Sequence, residues 1–265
     1  MRSIRSLLAA SMLLMPSLAS AQNVLFYSDN TTDRAQFATN AAANGWTTTF
    51  WGNGDGAKSA AQLSGFNSIV TGWSGAVTNY SSLLASKVGL TAARGSRTFL
   101  TGQDADYHET YSTPGVKASA ALFLKNAVNW SASGTGLGVV VLSGSGWLTN
   151  VNSFLYSEMV SSVNYSQGGN NVIIPGPSAG YPVNAGLTSA SLSNWASSYH
   201  MTFSTATAGY STINLSGDYT DRAVTILTEK EAAGGTTATP EPASMVLLGT
   251  GLLGIFGVAR RKRSA

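Results

Sequence analysis

Residues 137–142 read Leu-Gly-Val-Val-Val-Leu, and Ser143-Gly144-Ser145-Gly146 follows at once. Six nearly all-apolar residues bounded by a polar, glycine-rich loop fit a strand buried on both faces, as in a parallel sheet covered by helices. Working upstream, Pro114 suits the first turn of a helix over 114–130. Before it, 97–101 reads as a strand, 79–88 as a helix, 66–71 as a strand and 57–63 as a short helix. The β-branched and aromatic run 46–51 is a further strand. Asp33 has the character of an N-cap for a helix over 34–44, with Gly45 just past its end, and 23–28 is the first strand. Strands and helices alternating at this spacing predict βαβ units. Downstream the rhythm changes. Short strands at 171–174, 199–204, 210–215 and 223–228 are separated by turns. The expected fold is α/β: a three-layer sandwich with a mainly parallel sheet and an antiparallel extension in its C-terminal part.

The two ends of the chain have a different character. Arg2 and Arg5 precede a short apolar run, and Ala19-Ser20-Ala21 places small residues at a cleavage site, so residues 1–21 read as a secretory signal peptide removed by signal peptidase. At the other end, Pro240-Glu241-Pro242-Ala243-Ser244 leads into an uncharged stretch, 243–259, and then Arg260, Arg261, Lys262 and Arg263. As a helix, 243–259 covers roughly 25 Å, just under the width of a bilayer core. The basic cluster would hold that end in the cytoplasm. The expected organisation is therefore a signal peptide at 1–21, an exported α/β body at 22–233, a linker at 234–239 and a tail at 240–265 with a transmembrane helix.

The order and spacing of parts in this tail resemble the PEP-CTERM sorting signal, a kind of tail also known as the C-terminal domain of ice-binding proteins. That resemblance implies a Gram-negative, exopolysaccharide-producing bacterium. It also implies recognition by an exosortase, a membrane transpeptidase-like enzyme that cuts near the Pro-Glu-Pro. The helix would be a temporary tether to the inner membrane before release to the cell surface or matrix. The body resembles the flavodoxin-like sandwich, including the class I glutamine amidotransferase-like group, in the rhythm of 97–108 and 120–130. The nucleophile of that group is a cysteine; this chain has none, so amidotransferase activity is not carried over.

The formal net charge of +3 is misleading about partners. Six of the fifteen basic residues and one of the twelve acids lie in the two end segments. Nine basic and eleven acidic residues remain between 22 and 239, a net charge of −2. No basic surface is left to argue for nucleic acid. The lack of cysteine also excludes disulfides and Cys-ligated zinc, so an exported body of this size relies on its hydrophobic core.

In an open parallel sheet, ligands bind beyond the carboxyl ends of the strands. Four such ends carry polar loops here: 28–31, 72–74, 102–109 and 143–147. The third, Gly-Gln-Asp-Ala-Asp-Tyr-His-Glu, is the densest in chemistry. Asp104 and Asp106 are candidate oxygen ligands for calcium, and His108 would join them around another divalent metal. Any of the three is also a candidate general base, and the plain alternative is a solvated loop whose Asp residues cap a turn. No cofactor is required by any motif. Ser145 sits between glycines like a nucleophile, but Ser143 and Trp147 break the Gly-x-Ser-x-Gly pattern, and Glu158 is the one acid between Ser145 and His200. Trp51, Trp73, Trp147 and Trp195 would suit stacking on sugar rings or, equally, the edge of the core. His200, within an alternating run, reads as structural. The expectation is a non-catalytic surface or matrix protein; the alternatives are a carbohydrate-active or other hydrolase, or a metal- or glycan-binding module, using 102–109.

Overall fold

A computed structural model describes residues 21–229 apart from 74, 76, 78 and 145. The signal peptide through residue 20, the linker, the sorting tail with its apolar stretch 243–259, and Ser145 therefore lie outside the described residues. The first half runs β1 (Asn23–Tyr27), α1 (Thr31–Asn44), β2 (Thr47–Trp51), α2 (Ala60–Leu63), β3 (Ser68–Thr71), α3 (Ser81–Ala85), α4 (Lys87–Ala93), β4 (Arg94–Thr101), α5 (Ala105–Tyr111), α6 (Pro114–Ala132) and β5 (Leu137–Val141). The second half holds α7 (Tyr156–Met159), β6 (Val163–Asn164), β7 (Val172–Ile173), α8 (Ser189–Leu192), β8 (Thr202–Ser204), β9 (Ser211–Ser216) and β10 (Arg222–Glu229).

The ten strands form one sheet. Its parallel part has the order β2-β1-β3-β5-β4. Flavodoxin itself has the order 2-1-3-4-5, so this sheet departs from that arrangement in its last two parallel strands. The antiparallel extension then follows through β10, with β8, β6, β9 and β7 beyond it. Side chains alternate between two cores. Val24, Phe26, Val70, Phe99 and Val140 face α1, α6 and α8, while Leu25, Tyr27, Ile69, Leu100, Val139 and Val141 face α2, α3, α4 and α7. Burial on both faces is why these strands read as continuous apolar runs.

Three local readings are corrected. Helix α1 is capped by Asn30, whose side chain accepts from the backbone N–H groups of Thr32 and Asp33, not by Asp33. Asp33, Phe37 and Ala41, four residues apart, form instead the buried stripe of α1. Gly45 ends this helix in the left-handed region, at φ 71°. The helix expected at 79–88 is broken at Ser86, whose hydroxyl donates to Ser82 O at 2.7 Å and accepts Lys58 N–H at 2.8 Å. The stretch 102–109 is not a loop throughout, since α5 begins at Ala105. Asp, Tyr, His and Thr are indifferent helix formers, which hid it.

Strand β10 organises the site end of the molecule. Its residues Thr225, Ile226 and Leu227 pair with β4 on one edge and with β9 on the other. Ala223 pairs with Phe203 of β8 and with Leu215 of β9. Strand β8 therefore lies on the same edge of β10 as β4 and continues past its carboxyl end. Gly102 is the joint. Its N–H donates to Val224 O at 2.8 Å, and its carbonyl accepts His200 N–H at 2.9 Å. A Cβ at residue 102 would lie 1.9 Å from Met201 O. Farther along the extension, Asp218 accepts from Asn170 N at 2.8 Å, Asn171 N at 3.0 Å and Tyr199 Oη at 2.7 Å. Partial burial nudges its pKa upward, but the bonds from Asn171, Tyr199 and Asn170 more than offset this and hold it at about 2.

Two outcomes follow. Gly102→Ala forces two backbones apart and lowers unfolding free energy by about 3 kcal/mol or more in urea titrations. Asp218→Asn costs about 1–2 kcal/mol at pH 7, the scale of hydrogen bonds to a charged group reduced by solvent exposure. The native pKa is depressed, so this stabilisation is complete above the ordinary Asp value and is lost as pH falls toward 2. Melts of wild type and variant between pH 5 and pH 2 converge at the acid end.

Candidate functional site

Every parallel strand ends at the same edge, which brings the polar strand ends together. At the first, Asn30 is spent on capping α1, and Asp29 accepts from the Asn53 backbone and side-chain N–H groups at 2.8 and 2.5 Å. At the fifth, Ser143 N donates to Gln103 O at 3.3 Å.

The residues of 102–109 radiate because α5 starts among them. On a helix, positions i and i+4 share a face while i+2 points away. Asp104 and His108 accordingly meet, with Oδ1 and Nε2 3.2 Å apart. Asp106 turns the other way, and its Oδ2 accepts Trp73 N–H at 2.9 Å. The structure thus brings two of the three predicted residues together and leaves Asp106 apart. Gln103 is buried and donates from Nε2 to Leu192 O at 3.1 Å. Glu109 faces α1, where it accepts from Gln36 Nε2 at 3.2 Å. Burial pushes its pKa up to about 7.

The third member of the cluster is His200, which the sequence pattern assigned a structural role. Its Nε2 lies 3.1 Å from Asp104 Oδ2, and its side chain remains 46% exposed while that of Asp104 is 2% exposed. Burial pushes the Asp104 carboxyl up, but His108 and His200 more than offset that and hold it below the ordinary value. The bond to Asp104 raises the His200 pKa against the opposing effect of burial. His108 is enclosed: Nδ1 is 2.8 Å from Ser112 Oγ, Nε2 is 3.1 Å from Ser197 O, and Trp195 packs against the ring. Among the described residues, Asp104, His108 and His200 form the group whose ligand atoms lie within 4.8 Å of one another.

A second set surrounds Trp73. Its indole Nε1 donates to Asp33 Oδ2 at 3.0 Å, and its backbone N–H is the donor to Asp106. Burial raises the pKa of both carboxyl groups, that of Asp106 well above its ordinary range with Asp33 and Asp104 adding to the effect. Asp33 was not foreseen as part of this edge. The visible signal was its place on the α1 stripe with Phe37 and Ala41.

The tryptophans are core residues more than a sugar platform. Trp51, Trp147 and Trp195 are at most 2% exposed, and the indole N–H groups of Trp51 and Trp195 donate to Gly56 O and Ser191 O. Glu158 is taken by Arg94 in a two-pronged ion pair at 2.8 and 3.0 Å. A surface groove of about 430 Å³ lies elsewhere, between Arg97, Asn126, Trp130, Tyr181 and Glu229.

Residues 238–263 match the PEP-CTERM protein-sorting motif. A PEP-CTERM tail implies export and exosortase-directed, membrane-anchored sorting in Gram-negative bacteria. No curated protein and no solved structure matches the chain at a significant level. No helix among the described residues is long and apolar enough to cross a membrane.

Trp73→Phe removes the indole donor and leaves Asp33 Oδ2 buried without it. The expected cost is about 1–3 kcal/mol. Loss of a bond that favours the ionised form raises the folded-state pKa of Asp33 further, so the deficit is larger at pH 8 than at pH 5. Chemical unfolding of both proteins at the two pH values measures it.

Proposed function

We propose that the chain is an exported cell-surface or extracellular-matrix protein, delivered by its PEP-CTERM tail, whose α/β body binds or builds rather than catalyses. The observation that carries this reading is the sorting motif at 238–263. The body adds support, because its strand-end acids are committed to internal partners: Asp29 to Asn53, Asp33 and Asp106 to Trp73, and Asp104 to two histidines. In this reading residues 1–21 direct export and are removed by signal peptidase. The stretch 243–259 tethers the protein to the inner membrane, Arg260 to Arg263 hold that end inside, and exosortase cuts near Pro242. The released chain, the body 22–233 with its linker, then joins the exopolysaccharide at the surface.

A second reading, a carbohydrate-active or other hydrolase, draws on one observation. Asp104 is a buried carboxylate set against the half-exposed imidazole of His200, an arrangement that orients a general base. The two readings separate in the native host. Mass spectrometry of protein from the extracellular fraction is expected to show a C-terminus near Pro242, and deletion of 240–265 is expected to remove the protein from the surface. The same material is expected to leave glycoside and ester substrates unchanged. Turnover that His200→Ala abolishes would replace the first reading with the second.

A further inference from the structure

We propose that Asp104, His108 and His200 form a binding site for a divalent transition metal of the zinc class. The inference rests on the body alone and stands apart from the sorting reading. Three ligand atoms, one carboxylate oxygen and one imidazole nitrogen from each histidine, come from two chain segments and converge within 4.8 Å. The carboxylate-to-imidazole separations are 3.2 and 3.1 Å. Ligands around a tetrahedral zinc with bonds near 2.0–2.1 Å sit roughly 3.3–3.4 Å from one another. The two contacts use different oxygens of Asp104, and the three ligand atoms are spread over up to 4.8 Å, so the side chains close in by up to roughly 1.5 Å to reach that spacing.

The surroundings of His108 favour the same conclusion. Ser112 Oγ, 2.8 Å from Nδ1, can accept the ring proton and so fix the tautomer in which the Nε2 lone pair points inward. A metal-ligating histidine is held in this way by a partner on its other nitrogen. In that tautomer three electron-rich groups face one another: His108 Nε2, Asp104 Oδ1 and the Ser197 carbonyl, which lies 3.1 Å from the same nitrogen. Asp104 Oδ1 is buried, and its near polar neighbour is His108 Nε2 at 3.2 Å. A cation resolves that convergence. Without one, the proton must sit on Nε2 and be shared between the Ser197 carbonyl and Asp104.

The donor set also selects the ion. Two imidazoles and one carboxylate suit zinc, cobalt, nickel or copper, whereas calcium and magnesium prefer all-oxygen shells of higher number. Calcium ligation by Asp104 with Asp106 is disfavoured, since Asp106 is turned to Trp73. The half-exposed His200 gives the ion a path from solvent and leaves its remaining position open to water or to an oxygen donor of an outside molecule.

The test uses the full chain, purified in detergent and stripped with EDTA. Zinc, cobalt(II), calcium and magnesium are titrated separately by calorimetry and thermal melting. The expected result is one zinc or cobalt per chain, a rise of several degrees in melting temperature, visible absorption bands of a low-coordinate cobalt site, and little response to calcium or magnesium. His200→Ala, a change at a half-exposed side chain, is expected to weaken zinc by about 100-fold or more, and Asp106→Asn to leave affinity unchanged. The wild-type titration decides the matter even if a variant misfolds. No zinc or cobalt binding, equal affinity for calcium, or wild-type affinity in a folded His200→Ala protein would overturn the proposal.

Discussion

Strand β10 is the constraint on which the rest depends. It is the strand in this sheet that hydrogen-bonds along β4 while also holding β8 and β9. The edge of a parallel sheet offers unpaired N–H and C=O groups that must be covered. Here an antiparallel strand from the end of the body covers β4. By doing so it carries 199–204 onto the carboxyl end of β4, against a glycine that admits no side chain. His200 meets Asp104 because of that closure, across 96 residues of sequence. Local preference for structure around either residue would not have brought them together.

This explains which parts of the molecule were legible from the residues. The parallel half was, since burial on two faces leaves a direct trace in runs such as Val139-Val140-Val141 and in punctuation such as Gly45 and Pro114. Four of the five antiparallel strands were also visible as short apolar runs between turns, and β6 (Val163–Asn164) was not. Their pairing partners were not, because β-pairing at long separation depends on which edges remain open once the core has formed. Helix α5 was hidden for a different reason. Its residues are polar, aromatic and charged in a mixture that resembles a loop, and its helical form comes from packing against α1 and α6.

The site was legible in the same uneven way. Asp104 and His108 stood out because acids and histidines are scarce in this chain. The helical spacing that separates Asp106 from them needed the start of α5 to be known. His200 was discounted because an alternating strand pattern ordinarily assigns such a residue to structure or solvent. In the folded protein it lies two residues before β8, bonded through its N–H to the Gly102 carbonyl, with its half-exposed side chain over Asp104. Trp73 and Asp33 form a neighbouring unit in which one indole and one backbone amide hold two carboxyl groups under the surface. The two units together make this edge polar and largely buried.

The position of β10 in the chain sets a tether length. The strand ends at Glu229, and the PEP-CTERM motif begins at residue 238. Even a fully extended chain spans at most about 30 Å over that interval. The sorting motif therefore begins within that reach of the closing edge of the sheet. Glu229 pairs with Arg97 at the start of β4, so the chain leaves β10 at the end of the sheet opposite the Asp104–His200 edge, and that edge faces away from the point of attachment.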